Sequence, residues 1–407
     1  MTQIDQAWGA GPSAHYEKMA ETFRPIFQKI ESQAIDREVK RILPHDEIKW
    51  LKEARFGALR VPRDKGGFGA TLPELFALLI ELSAADSNIT QALRGHFGFA
   101  EDIVNSRNPG LREAWFARLA GGDITGNAWT EIGNAKQAEF STRVTRSGDG
   151  WKLTGKKFYT TGSLFADWID VGVQDEEGNS AGAFVRRGAP GVEIVDDWDG
   201  FGQILTASGT TTFVDVPVEA GNVVPDDDRF KYSAAFYQLV HLATLAGIGR
   251  AATRELAAAV AARTRNYSNA AGPRSSQDPQ VLQVVGRVRS AAYSAGAIVL
   301  KVAESLQRAF DTRFTNDAAA DEKANAIAEL EAAQAQTVIT NLILDATTIL
   351  FDALGASSTI RTKGLDRFWR NARTLSSHNP RIYKDRIVGD YAVNGTPPPY
   401  QWRIGQV

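Results

Sequence analysis

The sequence predicts a mainly helical protein with a central β-domain. Apolar residues recur at helical spacing in residues 1–122, short β-branched runs alternate with turn residues in 123–225, and long alanine-rich periodic segments fill 226–407. We therefore expect an N-terminal helical domain, a middle β-domain and a C-terminal bundle of about four helices, with these boundaries. This order excludes a doubly wound nucleotide-binding fold, in which strands and helices alternate.

Two of the predicted helices have clear N-terminal signals. In the first, Thr71 and Glu74 have the spacing of a capping box, and Pro73 lies in the first turn, where its missing N–H costs nothing. Four leucines then follow at helical spacing. In the second, Asp278 is suited to the N-cap and Pro279 to the first helical position, before a stripe of valines and alanines.

The middle zone is predicted to be a compact antiparallel domain or barrel, because short apolar runs are separated by Gly and Asp. The candidate strands are Ser141–Thr145, Lys152–Thr154, Trp168–Val173, Ala181–Val185, Val192–Val195 and Thr210–Val214.

Composition excludes several functional classes. The 407 residues include 46 Lys+Arg and 48 Asp+Glu, a net charge of −2, so no global field favours nucleic acid or an anionic membrane. The absence of cysteine excludes disulfides, iron–sulfur clusters and thiolate metal sites, and we predict no metal. The N-terminus has no signal-peptide pattern, and no apolar run approaches about 18 residues. We expect a cytoplasmic protein.

Several motifs together resemble the acyl-CoA dehydrogenase family over nearly the whole chain. They are Val61-Pro62 with Gly66–Gly69, the segment Gly126–Glu131, and the segment Leu153–Gly162 followed by Ala166–Trp168. Each motif is short, but their order and spacing along the chain are similar to those of the family. The resemblance implies the acyl-CoA dehydrogenase fold, with a helical domain, a middle β-barrel and a four-helix bundle.

Further motifs resemble the branch of flavin-dependent monooxygenases that includes the dibenzothiophene monooxygenases. These are Asp196–Gly202 with Ser208-Gly209, Phe368–Arg373, His378–Pro380 and Tyr383-Lys384. The resemblance to this branch implies a flavin cofactor and oxygen chemistry.

The resemblance implies flavin contacts from Asn127, Trp129 and Thr130, and from Tyr159 and Thr161. A bound isoalloxazine ring needs a flat wall and hydrogen bonds to its heteroatoms. Tyr159 and Thr161 are two apart on a predicted strand and would share one face, so that one could stack and the other bond the N5 edge. The alternative is an ordinary β-core with satisfied threonines.

A phosphate site and a subunit contact are also implied. The resemblance places Arg263 at the flavin phosphate, where Arg265 could serve instead; both could also be solvated cations at a helix C-terminus. The segment Gly355–Thr359, with Ser357, matches the part that reaches a neighbouring subunit's flavin. It is less glycine-rich than the dehydrogenase pattern, which favours FMN while FAD remains possible. Apolar stripes on the bundle helices lead us to expect a homotetramer, a dimer of dimers.

The dehydrogenase base is missing from both of its known positions. Dehydrogenation of an acyl-CoA needs a carboxylate to remove the α-proton. Asn379 occupies one position, and an amide cannot act as a base. The segment 236–247, FYQLVHLATLAG, covers the other and contains no carboxylate.

Histidines and polar residues near these positions are the site candidates. The resemblance places His378 near the flavin C4a edge, where it could steady a hydroperoxide; His96 in the substrate pocket; and His241 on the helix lining the cavity. Ser208 and Trp198 are the candidate substrate contacts. Each histidine could instead be a packing residue, and Ser208 an ordinary turn serine.

These observations predict a reduced-FMN-dependent monooxygenase. A C4a-(hydro)peroxyflavin would oxygenate a small organic substrate at sulfur, nitrogen or an aromatic ring. The sequence contains no dinucleotide-binding fingerprint, so a separate NAD(P)H:flavin reductase must supply the reduced flavin. Two alternatives stay open: an acyl-CoA dehydrogenase with an unrecognised base, and a non-catalytic helical scaffold.

Overall fold

Helices form the first part of the chain in the computed structural model, which describes residues 8–132, 140–226 and 229–400. The helices are α1 (Ala14–Glu31), α2 (Ala34–Lys40), α3 (His45–Glu53), α4 (Leu72–Ala85), α5 (Ser87–Ala92), α6 (Arg94–Asn105) and α7 (Pro109–Ala120). The predicted capping box of α4 is present: Thr71 Oγ1 accepts from the Glu74 main-chain N–H, and the Glu74 carboxylate accepts from the Thr71 N–H.

A mixed sheet follows the first seven helices. Its strands are β1 (Thr125–Ala128), β2 (Arg143–Ser147), β3 (Gly150–Lys157), β4 (Trp168–Gln174), β5 (Ser180–Arg186), β6 (Val192–Val195), β7 (Thr210–Val218) and β8 (Val223–Pro225). The order is β6-β7-β3-β2-β4-β5-β8, with β1 beside β4. All six predicted strands are present. The expectation of a purely antiparallel sheet is wrong, because β1 runs parallel to β4; the β2–β3 hairpin supplies the long connection that parallel pairing needs.

The C-terminal part is a helix bundle. Its helices are α8 (Ser233–Ala262), α9 (Pro279–Thr312), α10 (Ala318–Ile349), α11 (Asp366–His378) and α12 (Lys384–Asn394). The first four pack against one another, and α4 packs against α8. Asp278 caps α9, as predicted, by accepting from the Gln280 N–H at 2.9 Å.

Helix α6 lies where the sheet and the bundle meet, in contact with both β1 and α8. Its buried ring Phe99 packs with Trp115 of α7 and with Phe184 of β5. Side chains at the start of α6 can therefore reach both the sheet and the bundle. Within the described ranges, no helix is long and apolar enough to cross a membrane.

Candidate functional site

The start of α6, helices α8 and α11, and two loops come together in one region, which we name the recess. The loops are residues 158–163, after β3, and residues 198–208, between β6 and β7. Gly162 has φ +79° and packs so closely against the Ala92 carbonyl that no side chain would fit. The Gly162 N–H donates to the Thr206 carbonyl at 3.1 Å, and the Gln203 N–H donates to Asn371 Oδ1 at 2.6 Å. These contacts fix both loops against α5 and α11.

His378, His241 and Arg94 form a cluster in this recess. The ring centroids of His378 and His241 lie 4.4 Å apart with the planes at 86°. Arg94 Nη2 lies 3.5 Å from His378 Nε2, and its guanidinium lies 5.0 Å from the Tyr237 ring. His241 is 0% exposed, and its ring interacts with the main chain of Leu375 on α11. His378 keeps access to solvent.

Asn379 sets the tautomer of His378. Asn379 Nδ2 donates to Gln238 Oε1 at 2.6 Å, so Asn379 Oδ1 must face His378 Nδ1, 2.9 Å away. An amide oxygen only accepts, and the proton therefore belongs on Nδ1. Gln336 Nε2 holds the Asn379 carbonyl at 3.0 Å. His378 Nε2 is left as a hydrogen-bond acceptor that faces the recess.

Both histidines have lowered pKa values. Desolvation by the surrounding protein lowers the pKa of His378 although part of its ring reaches solvent, and the positive charge of Arg94 acts in the same direction. The pKa of His241 is well below its usual value, chiefly because of burial and then because of His378 and Arg94. Near pH 7 the cluster therefore carries one positive charge, on Arg94.

The two loops bring Thr161 and Ser208 together, as well as Tyr159 and Trp198. Ser208 Oγ lies 2.7 Å from Thr161 Oγ1 and 2.7 Å from Thr206 Oγ1, so three buried hydroxyls form a chain. The rings of Tyr159 and Trp198 lie 6.0 Å apart, and the Trp198 indole N–H donates within its own loop. In each pair, a residue predicted to contact the cofactor therefore lies next to a residue predicted to contact the substrate.

The strand argument for Tyr159 and Thr161 is wrong. Strand β3 ends at Lys157, and Tyr159 has φ +58°, in the left-handed region. The two side chains therefore do not share a face by alternation: Tyr159 is 44% exposed and Thr161 is 5% exposed. Tyr159 still offers a flat, accessible ring, whereas Thr161 is engaged with Ser208.

His96 has a different environment from the one predicted for it. It is 0% exposed; its Nε2 donates to the Gly57 carbonyl at 2.9 Å, and its Nδ1 accepts from the Thr125 N–H at 3.1 Å. Burial lowers its pKa to about 4. With both nitrogens bonded to the main chain, His96 has none free for a substrate. Its geometry favours the packing interpretation, with the function of joining α6 to β1.

The three residues of the first predicted flavin-contact segment have different environments. Asn127 Oδ1 is buried without a hydrogen-bond partner in the described chain, and it packs against Gly95, next to Arg94. The Trp129 indole instead turns towards the sheet, where its N–H donates to Asp170 Oδ2 at 3.1 Å. Thr130 contributes its carbonyl to the Phe158 N–H. Asn127 is the member of this segment with unused hydrogen-bonding capacity.

Arg263 and Ser357 lie together, but far from the recess. Arg263 caps α8 and donates to the Leu354 carbonyl at 2.8 Å, directly before the segment that carries the exposed Ser357. His241 and Arg263 are 22 residues apart on α8, which is about 33 Å at roughly 1.5 Å per residue. One FMN cannot contact both ends within one subunit.

Arg94 and Tyr237 are the recess residues that sequence analysis missed. The available signal was Arg94 itself, the single cation in the apolar run ALRGHFGF. The sequence prediction named His96 from this run instead. Tyr237 stands in the segment 236–247, where the sequence prediction named only His241.

Family comparisons agree with this architecture. Residues 13–123 match the acyl-CoA dehydrogenase N-terminal domain, and residues 239–380 match the acyl-CoA dehydrogenase C-terminal domain. The chain belongs to the acyl-CoA dehydrogenase family. The predicted fold class is thereby confirmed, with a mixed central sheet.

Individual relatives place this acyl-CoA dehydrogenase-fold chain near monooxygenases. It is 28% identical to a dibenzothiophene monooxygenase of Rhodococcus erythropolis, over 92% of this chain and 93% of the relative. It is 26% identical to a probable FMNH2-dependent monooxygenase, SfnC of Pseudomonas putida, over 92% and 94%. FMN-bound TdsC from Paenibacillus sp. A11-2 has a TM-score of 0.85 and 25% identity, over 94% of this chain and 98% of that one.

Proposed function

We propose that this chain is a reduced-FMN-dependent monooxygenase that acts on a small organic substrate, with sulfur as the favoured site of oxygenation. One observation carries the proposal: the recess contains His378, with Nε2 free to accept, directly beside Asn379, the amide at the position where the resemblance to dehydrogenases would place a carboxylate. The FMN-bound and FMNH2-dependent relatives, and a relative named for a sulfur heterocycle, support the cofactor and the substrate class.

The recess residues fit a bound FMN. Asn127 Oδ1 is a buried acceptor without a partner in the described ranges, Tyr159 offers an accessible ring, and Thr161 and Ser208 supply hydroxyls. Reduced FMN would supply the electrons that activate oxygen. With FMNH2 bound, one oxygen atom of O2 would enter the substrate and the other would leave as water, with FMN as the oxidised product.

The protein's part in this chemistry is to hold protons and exclude water. His378 Nε2 accepts a hydrogen bond from a protonated group in the recess, while Asn379 holds the proton on Nδ1. Helix α8 also keeps Phe236, Leu239 and Val240 fully buried in the hydrophobic core behind the recess, which closes that side to water. A dry site limits the side reaction that releases hydrogen peroxide.

The dehydrogenase alternative lacks a base. Asn379 is an amide whose two polar side-chain atoms are both hydrogen-bonded. No carboxylate of the described residues hydrogen-bonds to His378, His241 or Arg94. A thioester bound here would therefore have no carboxylate to remove its α-proton.

We propose a homotetramer with two-fold symmetry in which Arg263 and Ser357 serve a neighbouring subunit. Their distance of about 33 Å from His241 along α8 motivates this. Arg263 would bind the flavin phosphate. We also propose that a separate NAD(P)H:flavin reductase supplies the reduced flavin and that the protein is cytoplasmic. Light scattering should give four chains per particle at micromolar concentration; a monomer contradicts this assembly.

Oxygenation under ¹⁸O₂ tests the function. Purified protein, FMN, NADH and a flavin reductase are mixed with sulfide, amine and phenol compounds, and products are analysed by mass spectrometry. We expect one ¹⁸O per product molecule, with sulfur compounds preferred. The control omits the reductase. Turnover of an acyl-CoA thioester with an electron acceptor, without oxygen incorporation, would favour the dehydrogenase instead.

A further inference from the structure

Arg94 lies beside the recess without a carboxylate partner among the described residues, whereas several other arginines with little exposure are paired with carboxylates. The pairs are Arg37 with Glu47 and Asp86, Arg60 with Glu101, Arg229 with Asp102 and Asp170, and Arg367 with Glu255.

Arg94 faces only neutral partners in the residues that the structure describes. Its guanidinium contacts the Tyr237 ring and His378, and its Nε is buried without a hydrogen bond. A partly buried cation without a counter-ion is unfavourable, because desolvation is not offset by attraction. The cation is therefore available to a ligand that brings its own negative charge.

The polar atoms beside Arg94 are unused as well. Oδ1 of Asn127 is buried without a hydrogen-bond partner within the described ranges. His378 Nε2 accepts only a long, 3.5 Å contact from Arg94. A planar guanidinium can bind two oxygens of one oxyanion at once.

We propose that Arg94 binds an oxyanion of the substrate, and that the enzyme prefers small organic anions such as sulfinates or carboxylates to neutral compounds of the same shape. This deepens the proposed function by naming a substrate class. It rests on that function only for turnover, since the binding preference can be measured without flavin reduction.

Calorimetry with two probes tests the preference. Benzenesulfinate and methyl phenyl sulfoxide share the phenyl ring and an oxygenated sulfur, but only the first is charged. We expect the wild-type protein loaded with FMN to bind benzenesulfinate more tightly. In Arg94→Gln the affinity for benzenesulfinate should fall by about 10- to 100-fold, with little change for the sulfoxide. Arg94→Lys should recover part of the loss, because it keeps the charge but not the planar fork.

A stability measurement separates ligand binding from a structural role. Removing an unpaired buried cation should leave the melting temperature of Arg94→Gln unchanged or higher. Benzenesulfinate should raise the melting temperature of the wild type but not of the variant. Arg146→Gln, an exposed arginine stacked on Trp151 far from the recess, is the control and should behave as wild type in both measurements.

Three results would overturn the inference. They are equal binding of the two probes by the wild type, an unchanged preference in Arg94→Gln, and a loss of FMN affinity in Arg94→Gln with sulfinate binding intact. The last would assign the guanidinium to the flavin. If the preference holds but neither probe is oxygenated, the proposed function fails while the anion site stands.

Discussion

His378→Ala tests the proposed chemistry most directly. The substitution removes one hydrogen bond to Asn379, of 2.9 Å, and one edge-to-face contact with His241. Each contributes about 0.5–1.5 kcal/mol, so we expect a loss of about 1–3 kcal/mol in the free energy of unfolding. Domains are typically stable by about 5–15 kcal/mol, and the variant should therefore fold and bind FMN.

Product formation should fall much further than stability. A proton-handling group contributes about 10²–10⁴-fold, so the variant should consume oxygen and release hydrogen peroxide while losing that factor in substrate oxygenation. An oxygen electrode, a peroxide assay and chromatography of the product measure the coupling. His45→Ala is the matched control, because it also removes an exposed histidine with an edge contact, to Phe165. Coupling in His378→Ala equal to that of the control would refute the reasoning.

Three further substitutions test the surroundings. Asn379→Asp places a carboxylate beside His378, which should raise the pKa of the histidine. The acid limb of the pH dependence of product yield should therefore move to higher pH. An unmoved limb would contradict the contact between residues 378 and 379. His96→Phe leaves two buried main-chain groups unbonded and should cost about 2–4 kcal/mol in denaturant unfolding. Because the folded pKa of His96, about 4, is below the unfolded value near 6.5, wild-type stability should fall as pH drops from 6.5 to 4, and the variant should lose part of that slope. Arg263→Gln should weaken FMN binding by about 10-fold in a fluorescence titration, whereas Arg265→Gln, its exposed neighbour, should not; equal effects would reassign the phosphate contact.

Local signals predicted the fold well. The capping box at Thr71, the Asp278 cap and the six strands all depend on residues close in sequence, and all are present. Strand β1 was not predicted because its four residues include Gly126 and Asn127, which are uncommon in strands, and β8 has only three residues. The left-handed conformation of Tyr159 was also missed, since the preceding run looks like an uninterrupted strand.

The sequence by itself determined the order of helices and strands, the helix caps and the lack of a carboxylate at Asn379 and in 236–247. Only the tertiary structure decided how the functional residues are used: that His96 bonds to the main chain, that Asn379 fixes the proton of His378, and that Arg94 has no counter-ion in the described chain. The physical reason is the separation along the sequence between the residues that interact. Capping and periodicity act between residues a few positions apart, whereas these hydrogen bonds and charges depend on partners brought together from α6, α8, α11 and β1.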